Sequence, residues 1–246
     1  MGNWKRKVYA GATLDQEYYI TGSGAGKKPA PRRPRFSSVE ERDEFNRRKA
    51  RRRHALLINA NFGPTSYYST LTFDGDNEVF TFEEAKKIRD QYYRRLRYAC
   101  PEAKISIYMG RGKTTRRIHL HMLSEGIEKE LIIAKWPYGS VTNVQHLREH
   151  NIDKNTKKDL GRDYTALANY LFEHWNGDDG QGVKRYKHSN NFVQPEYDRP
   201  SPCRRVYTEQ KPPRAPKGYM YVSSYATPYG YILFHYVRIP EPKPRI

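Results

Sequence analysis

The sequence predicts an α+β fold, an antiparallel sheet with helices packed against it. Three observations predict it. Segments of period two and of period 3.6 alternate through the middle of the chain, in the order strand, helix, strand, strand, helix, strand, helix. Two strand-like segments, "KISIYMG" (104–110) and "RRIHLHML" (116–123), are joined only by "RGKTT", a link short enough for a hairpin. No apolar run approaches the roughly 18 residues of a membrane-spanning helix, so the apolar periodicity describes a core.

Each element follows from local chemistry. "TGSGAGKKPAPRRPR" (21–35) is rich in Gly, Pro and Arg and is expected to be flexible. "SSVEERDEFNRRKARRRHALLINANFG" (37–63) predicts a helix. Ser37 or Ser38 caps it, acids fill its first turns, bases follow, and Gly63-Pro64 end it. "YYSTLTF" (67–73) is β-branched and aromatic and runs into the turn "DGDN" (74–77), so it predicts a strand. "TFEEAKKIRDQYYRRLRYA" (81–99) opens with Thr81 and Glu84 at capping-box spacing, and Ala85, Ile88, Tyr92, Leu96 and Ala99 share one helical face. "EKELIIAKW" (128–136) predicts a short helix and "GSVTNVQHL" (139–147) another strand. "DYTALANYLFEHW" (163–175) predicts an amphipathic helix capped by Asp163, with Leu167, Tyr170, Leu171 and His174 on one face. A polar, Pro-rich linker over 178–218 leads to "GYMYVSSYATPYGYILFHYV", expected to form an aromatic hairpin within 219–246.

Charge narrows the partner. The 246-residue chain carries 45 Lys and Arg against 27 Asp and Glu, a net charge of +18. Half of that excess lies in residues 1–60, so 1–63 is expected to be a basic N-terminal arm and helix, partly flexible. Such an excess implies a polyanion, usually nucleic acid. Twenty-one tyrosines interleaved with the bases suit single strands, whose bases stack on rings. The densest basic run, Arg47, Arg48, Lys49, Arg51, Arg52 and Arg53, is the first candidate for phosphate contact. Cys100 and Cys203 form neither a disulfide framework nor a CxxC site, and "MGNWKRKVYA" has no apolar core after it. The expectation is a cytosolic protein with reduced thiols and no membrane partner.

The chemistry concentrates in "RRIHLHMLSEG" (116–126). Residues i and i+2 of a strand share a face, so His119 and His121 project side by side while Ile118, Leu120 and Met122 face the helices. Paired neutral imidazoles are suited to hold a divalent cation. Arg111, Lys113, Arg116 and Arg117 surround the pair, so such a site would attract phosphate. "GRGKTT" is no P-loop: Ile107 stands where its first glycine belongs, and a strand follows where a helix is required. "HLHML" also lacks the third alternate histidine of the histidine-triad hydrolases, having Leu123 there.

The His-apolar-His strand, the upstream "STLTF" strand and a later helix with a central tyrosine resemble the HUH endonucleases. Within that superfamily the chain looks most like the rolling-circle replication initiators of Gram-positive plasmids, phages and integrative elements. The resemblance covers roughly residues 50–177, anchored by "NANFGPTSYYSTLTF", "GRGKTTRRIHLHM", "KWPYGSV" and "LANYLFEHW". It implies a five-stranded antiparallel sheet with flanking helices, with 64–177 as the nicking domain. It also implies Mg2+ or Mn2+ on His119 and His121, and a tyrosine that nicks one strand of origin DNA and stays on its 5′ end. Tyr170 is the nucleophile the pattern selects. Tyr164 is its rival, but six helical residues amount to about 240° of net rotation, so both phenols cannot serve one cation. The family's third metal ligand usually precedes the histidine pair; here that region has none, leaving His146, Glu173 and Asp74 as candidates. Glu173 also stands where the family often has Lys. Single-stranded and origin DNA are the implied partners, with a host helicase for unwinding. Two other functions fit parts of the pattern. One is a single-tyrosine transposase or mobilisation relaxase, although relaxases usually carry a third histidine and an N-terminal tyrosine. The other is a DNA-binding protein without catalysis.

Overall fold

The computed structural model describes residues 2–21, 38–112, 116–175, 184, 186–227 and 230–240. The chain begins with β1 (Gly2–Ala10), β2 (Thr13–Thr21) and α1 (Val39–Asn61). It continues through β3 (Tyr67–Thr72), α2 (Phe82–Ala99), β4 (Lys104–Arg111), β5 (Ile118–Glu125), α3 (Lys129–Ala134), β6 (Val141–His146) and α4 (Thr165–Trp175). Short strands β7 (Tyr186–His188), β8 (Glu196–Tyr197) and β9 (Ser201–Pro202) precede the closing pair β10 (Tyr219–Ala226) and β11 (Tyr231–Arg238). The order predicted between 67 and 175 is present throughout. Contacts group these elements into two compact units, each discontinuous in sequence: Met1–Ala60 with His150–Tyr164 and Gln194–Ile246, and Asn61–Glu149 with Thr165–Val193.

The second unit holds the expected five-stranded antiparallel sheet, in the order β6-β3-β5-β4-β7. One face buries Leu71, Ile105, Ile107, Met109, Leu120 and Met122 against Ala85, Tyr92 and Leu96 of α2 and Ile132 of α3. Two polar groups within this layer find backbone partners: the Tyr92 hydroxyl donates to Ile132 O at 2.9 Å and Trp136 Nε1 to Thr72 O at 3.0 Å. Thr81 caps α2 as its spacing predicts, accepting the Glu84 N–H at 3.3 Å. Arg89, also on α2, is buried; its guanidinium donates to Lys184 O and Asp90. The fifth strand is β7, beyond the tyrosine helix. A three-residue strand has too few positions to show an alternation, so periodicity could not find it.

The first unit corrects the expectation for the chain's ends. Residues 2–21 are a β-hairpin rather than an arm: β1 and β2 pair along their whole length through the two-residue link Gly11-Ala12. Gly11 has φ +59°, and a Cβ there would lie 2.1 Å from Asn59 O, so only glycine fits. The sheet runs β10-β11-β2-β1-β8, with β9 also on β1. The predicted C-terminal hairpin is therefore present, but β11 pairs with β2 instead of standing alone. Two short segments of the Pro-rich 178–218 stretch pair with β1, so it is not a free linker. The linear division at 63, 177 and 218 fails for one reason: strands distant in sequence complete each other's hydrogen bonds. The flexible stretch expected over 21–35 lies, apart from Thr21, outside the described residues.

The two faces of this first sheet differ. Leu14, Ile232, Phe234 and Tyr236 form an apolar cluster on one. On the other, Asp15 and Glu17 are buried and bind Arg52 of α1, with Arg52 Nε 2.8 Å from Asp15 Oδ2. Arg6 and the Tyr231 hydroxyl also donate to Glu17. His235 completes the cluster, Nδ1 donating to Asp15 at 2.7 Å and Nε2 to Asp163 at 3.0 Å. Burial alone would lower the His235 pKa, but the two carboxylates raise it to about 10. Asp163, expected as a helix cap, accepts here from the imidazole of His235 on β11.

Candidate metal centre and tyrosine

The site lies on the sheet face of the second unit opposite its apolar layer. Strand alternation turns His119 and His121 outward while Leu120 and Met122 enter the core. Register then decides their neighbours. His119 sits between Thr72 and Gly110, and His121 between Thr70 and Tyr108. Helix α4 packs over β4 and brings Tyr170 and His174, one turn apart, to the same place. Gly110 makes the approach feasible: a Cβ there would stand 2.8 Å from His174 Cδ2 and 3.2 Å from His119 Nε2.

The result is a three-imidazole cluster. His119 Nε2 and His121 Nε2 are 3.1 Å apart. One nitrogen from each of His119, His121 and His174 lies within 4.8 Å of the others, the one such metal-competent group among the described residues. Hydrogen bonds at the rings bear on their tautomers. His174 Nδ1 is 3.2 Å from the Tyr170 carbonyl, which can only accept, so Nδ1 carries a proton and Nε2 is the nitrogen placed for a cation. His121 Nδ1 is 2.7 Å from the Tyr68 hydroxyl and 3.3 Å from Thr70 Oγ1. Donation from Nδ1 to either oxygen leaves its Nε2 pointing into the cluster as a lone pair, the arrangement that orients metal-binding imidazoles. Burial, with neighbouring His119 and His174, pushes the His121 pKa down to about 3, and His119 is lowered by burial and His174. Both rings are therefore neutral and able to ligate at neutral pH.

The Tyr170 hydroxyl is 3.4 Å from His121 Nε2, and its ring is 45% exposed. Its pKa lies above the ordinary phenol value because burial outweighs the lowering effect of a hydrogen bond with Tyr68. Tyr164 is 3% exposed and its N–H donates to Asn59 Oδ1. Its backbone is tied to the first unit, so of the two tyrosines at 164 and 170 it is Tyr170 that joins the histidines, beside Tyr68 of β3. Tyr170 does not lie on the buried stripe of α4, which is Ala168, Leu171 and Phe172. It shares the neighbouring stripe with His174.

The third position of the cluster corrects the sequence expectation. His174 occupies it, whereas His146, Glu173 and Asp74 do other things. His146 stacks on Tyr67 with centroids 4.1 Å apart. Asp74 accepts from Ser140 Oγ at 2.6 Å. Glu173 is exposed on α4. The signal for His174 was its i+4 spacing from Tyr170; Tyr68 carried one too, alternating with Thr70 and Thr72 on β3. Gly110 carried none, because its role exists only across the strand pair.

The basic candidates divide. Arg47, Arg48, Lys49, Arg51 and Arg53 are exposed on α1 in the first unit, Arg48 donating to the Tyr225 hydroxyl at 2.7 Å. Arg52 is a correction: two buried carboxylates hold its guanidinium, so it braces the sheet rather than facing DNA. Near the histidine strand, Arg111 donates to Phe80 O at 3.0 Å and lies over the Phe82 ring. Arg117 pairs with Glu78 at 2.8 Å and Arg116 is exposed. Lys113 lies outside the described residues. Comparison of the chain with models of protein families, with curated proteins and with solved structures found no match.

Proposed function

We propose that the chain is a metal-dependent tyrosine nickase of the HUH endonuclease type, acting on one strand of origin DNA to start rolling-circle replication. The observation that carries this reading is the Tyr170 phenol, nearly half exposed, 3.4 Å from His121 Nε2 in a three-histidine cluster and beside the more buried Tyr68 hydroxyl. The donor set fits a cation: three imidazoles converge, and those of His119 and His121 are neutral. Nitrogen donors favour a transition ion such as Mn2+ over Mg2+, which prefers oxygen. His119, His121 and His174 would hold it, and when bound it would neutralise charge on the non-bridging phosphate oxygens.

The protein's own groups account for the rest. Tyr68 hydrogen-bonds to both His121 and Tyr170, favouring the phenolate on the latter. The Tyr170 proton leaves to solvent through the exposed edge of the ring. Its oxygen then bonds to phosphorus, the bond from phosphorus to the 3′ oxygen breaks, and that oxygen takes up a proton. The phosphotyrosyl ester conserves the bond, so attack by a 3′-hydroxyl rejoins the strand. Exposed cations on α1 would engage phosphates without reading sequence. A host helicase is the partner proposed to supply unwinding.

The third histidine brings the site closer to a relaxase than the sequence suggested. The nucleophile still sits on a helix after the histidine strand, which favours the initiator. The test is a denaturing gel of protein mixed with single-stranded origin oligonucleotides and Mn2+. A protein–DNA conjugate is expected, lost with chelator and in Tyr170→Phe; full nicking by that variant would refute the assignment.

A further inference from the structure

The first unit carries a cleft of its own, with a volume of about 300 Å3. Tyr18 and Ile20 of β2, Ile232 of β11 and Tyr207, beyond β9, line it. The Tyr18 and Tyr207 rings are 4.9 Å apart and tilted by 58°. Phe234 packs on both, with centroids at 5.8 and 6.4 Å, so core contacts hold the rings in place. Burial raises the Tyr18 phenol far above its ordinary value, and it donates to Gln16 Oε1 at 3.0 Å. These are neutral aromatic surfaces.

The rim is cationic. Arg205 lines the cleft and is exposed. Lys5, also exposed, is the cross-strand partner of Tyr18 and so shares its face. Among the described residues Glu209 is the one acid in the lining, and its Oε1 accepts from Ser224 Oγ at 3.4 Å. Asn3 and Gln210 add amide groups able to meet base edges.

We propose that this cleft holds one unpaired nucleotide of a single-stranded nucleic acid. The base lies against Tyr207 and Tyr18, and Arg205 and Lys5 take the adjoining phosphates. Every base has a π-face for the rings, and the cations complement the backbone. The volume is at the small end of ligand clefts, suited to one base and too small for a duplex. The inference goes beyond the nicking reading and depends on neither Tyr170 nor the histidines.

The test uses the full chain in excess chelator and a labelled oligodeoxythymidylate of about 12 nucleotides, longer than one such site requires. Arg205→Glu, at an exposed position, and Tyr207→Ala are each expected to weaken binding on the order of tenfold, while Tyr207→Phe retains it. Photo-crosslinking with 5-iodouracil is expected to mark peptides containing Tyr18 or residues 205–210. Unchanged affinity in Arg205→Glu and Tyr207→Ala, or adducts confined to other segments, would overturn the proposal. Thymidine monophosphate binding as tightly as the oligomer would overturn the assignment to a strand. With no metal present, failure here leaves the nicking reading standing, and a missing phosphotyrosyl conjugate leaves this one standing.

Discussion

Gly110 and His174 show how much one atom decides at the site. A methyl group at 110 would press on His174 Cδ2 at 2.8 Å and crowd His119, so Gly110→Ala is expected to prise the cluster apart without unfolding the sheet. Isothermal titration with Mn2+ would register this as a large loss of affinity, alongside an unchanged far-UV spectrum. Tyr68→Phe removes a hydroxyl 2.7 Å from His121 Nδ1, leaving Thr70 Oγ1 at 3.3 Å as the remaining partner. The expected cost is about tenfold in metal affinity, the lower end for an outer-shell partner. A Tyr68→Phe protein with undiminished affinity would mean that Thr70 alone orients the ring. The histidine pair and Tyr170 were legible because their spacings put them on single faces of a strand and a helix. Gly110 was not, because its neighbours come from two other elements.

Helix α1 has opposite jobs on its different sides. Its exposed cations face solvent, while Arg52, within the same basic run, reaches inward to Asp15 and Glu17. Removing the guanidinium would take one charged partner from each of two buried carboxylates, which keep His235, Arg6 and the Tyr231 hydroxyl, so Arg52→Ala is expected to cost about 2 kcal/mol in denaturant unfolding. The same change at exposed Arg51 is expected to cost less than about 0.5 kcal/mol. Sequence alone cannot separate these two arginines, since the acids that claim one of them lie 35 and 37 positions earlier. Elements closed by local signals read correctly: Ser38 caps α1 and Thr81 caps α2, each accepting an N–H three residues on.

At the scale of the molecule, stability should respond to pH through His235. Its folded pKa, about 10, lies above the unfolded value near 6.5, so its contribution is complete below about pH 6.5 and is lost as pH rises through 10. Asp15 works in the other direction: its folded pKa is depressed, so its contribution is lost as the medium becomes strongly acid. Urea unfolding of the wild-type chain is expected to weaken between about pH 7 and 10, with a limiting slope of about 1.4 kcal/mol per pH unit. His235→Gln should flatten that slope; an unchanged slope would mean that the imidazole is not charged in the folded state. The sequence by itself determined the local order of strands and helices from 67 to 175, the shared faces of His119 with His121 and of Tyr170 with His174, and the cationic character of the chain. These depend on neighbours within a few residues, whose geometry the backbone period dictates. Only the tertiary structure decided that the two chain ends build one sheet, that His174 joins the histidine pair, and that Arg52 turns inward. Each of those outcomes is a pairing across a long loop, and the partner that satisfies a buried hydrogen bond or charge is chosen by the folded chain in space.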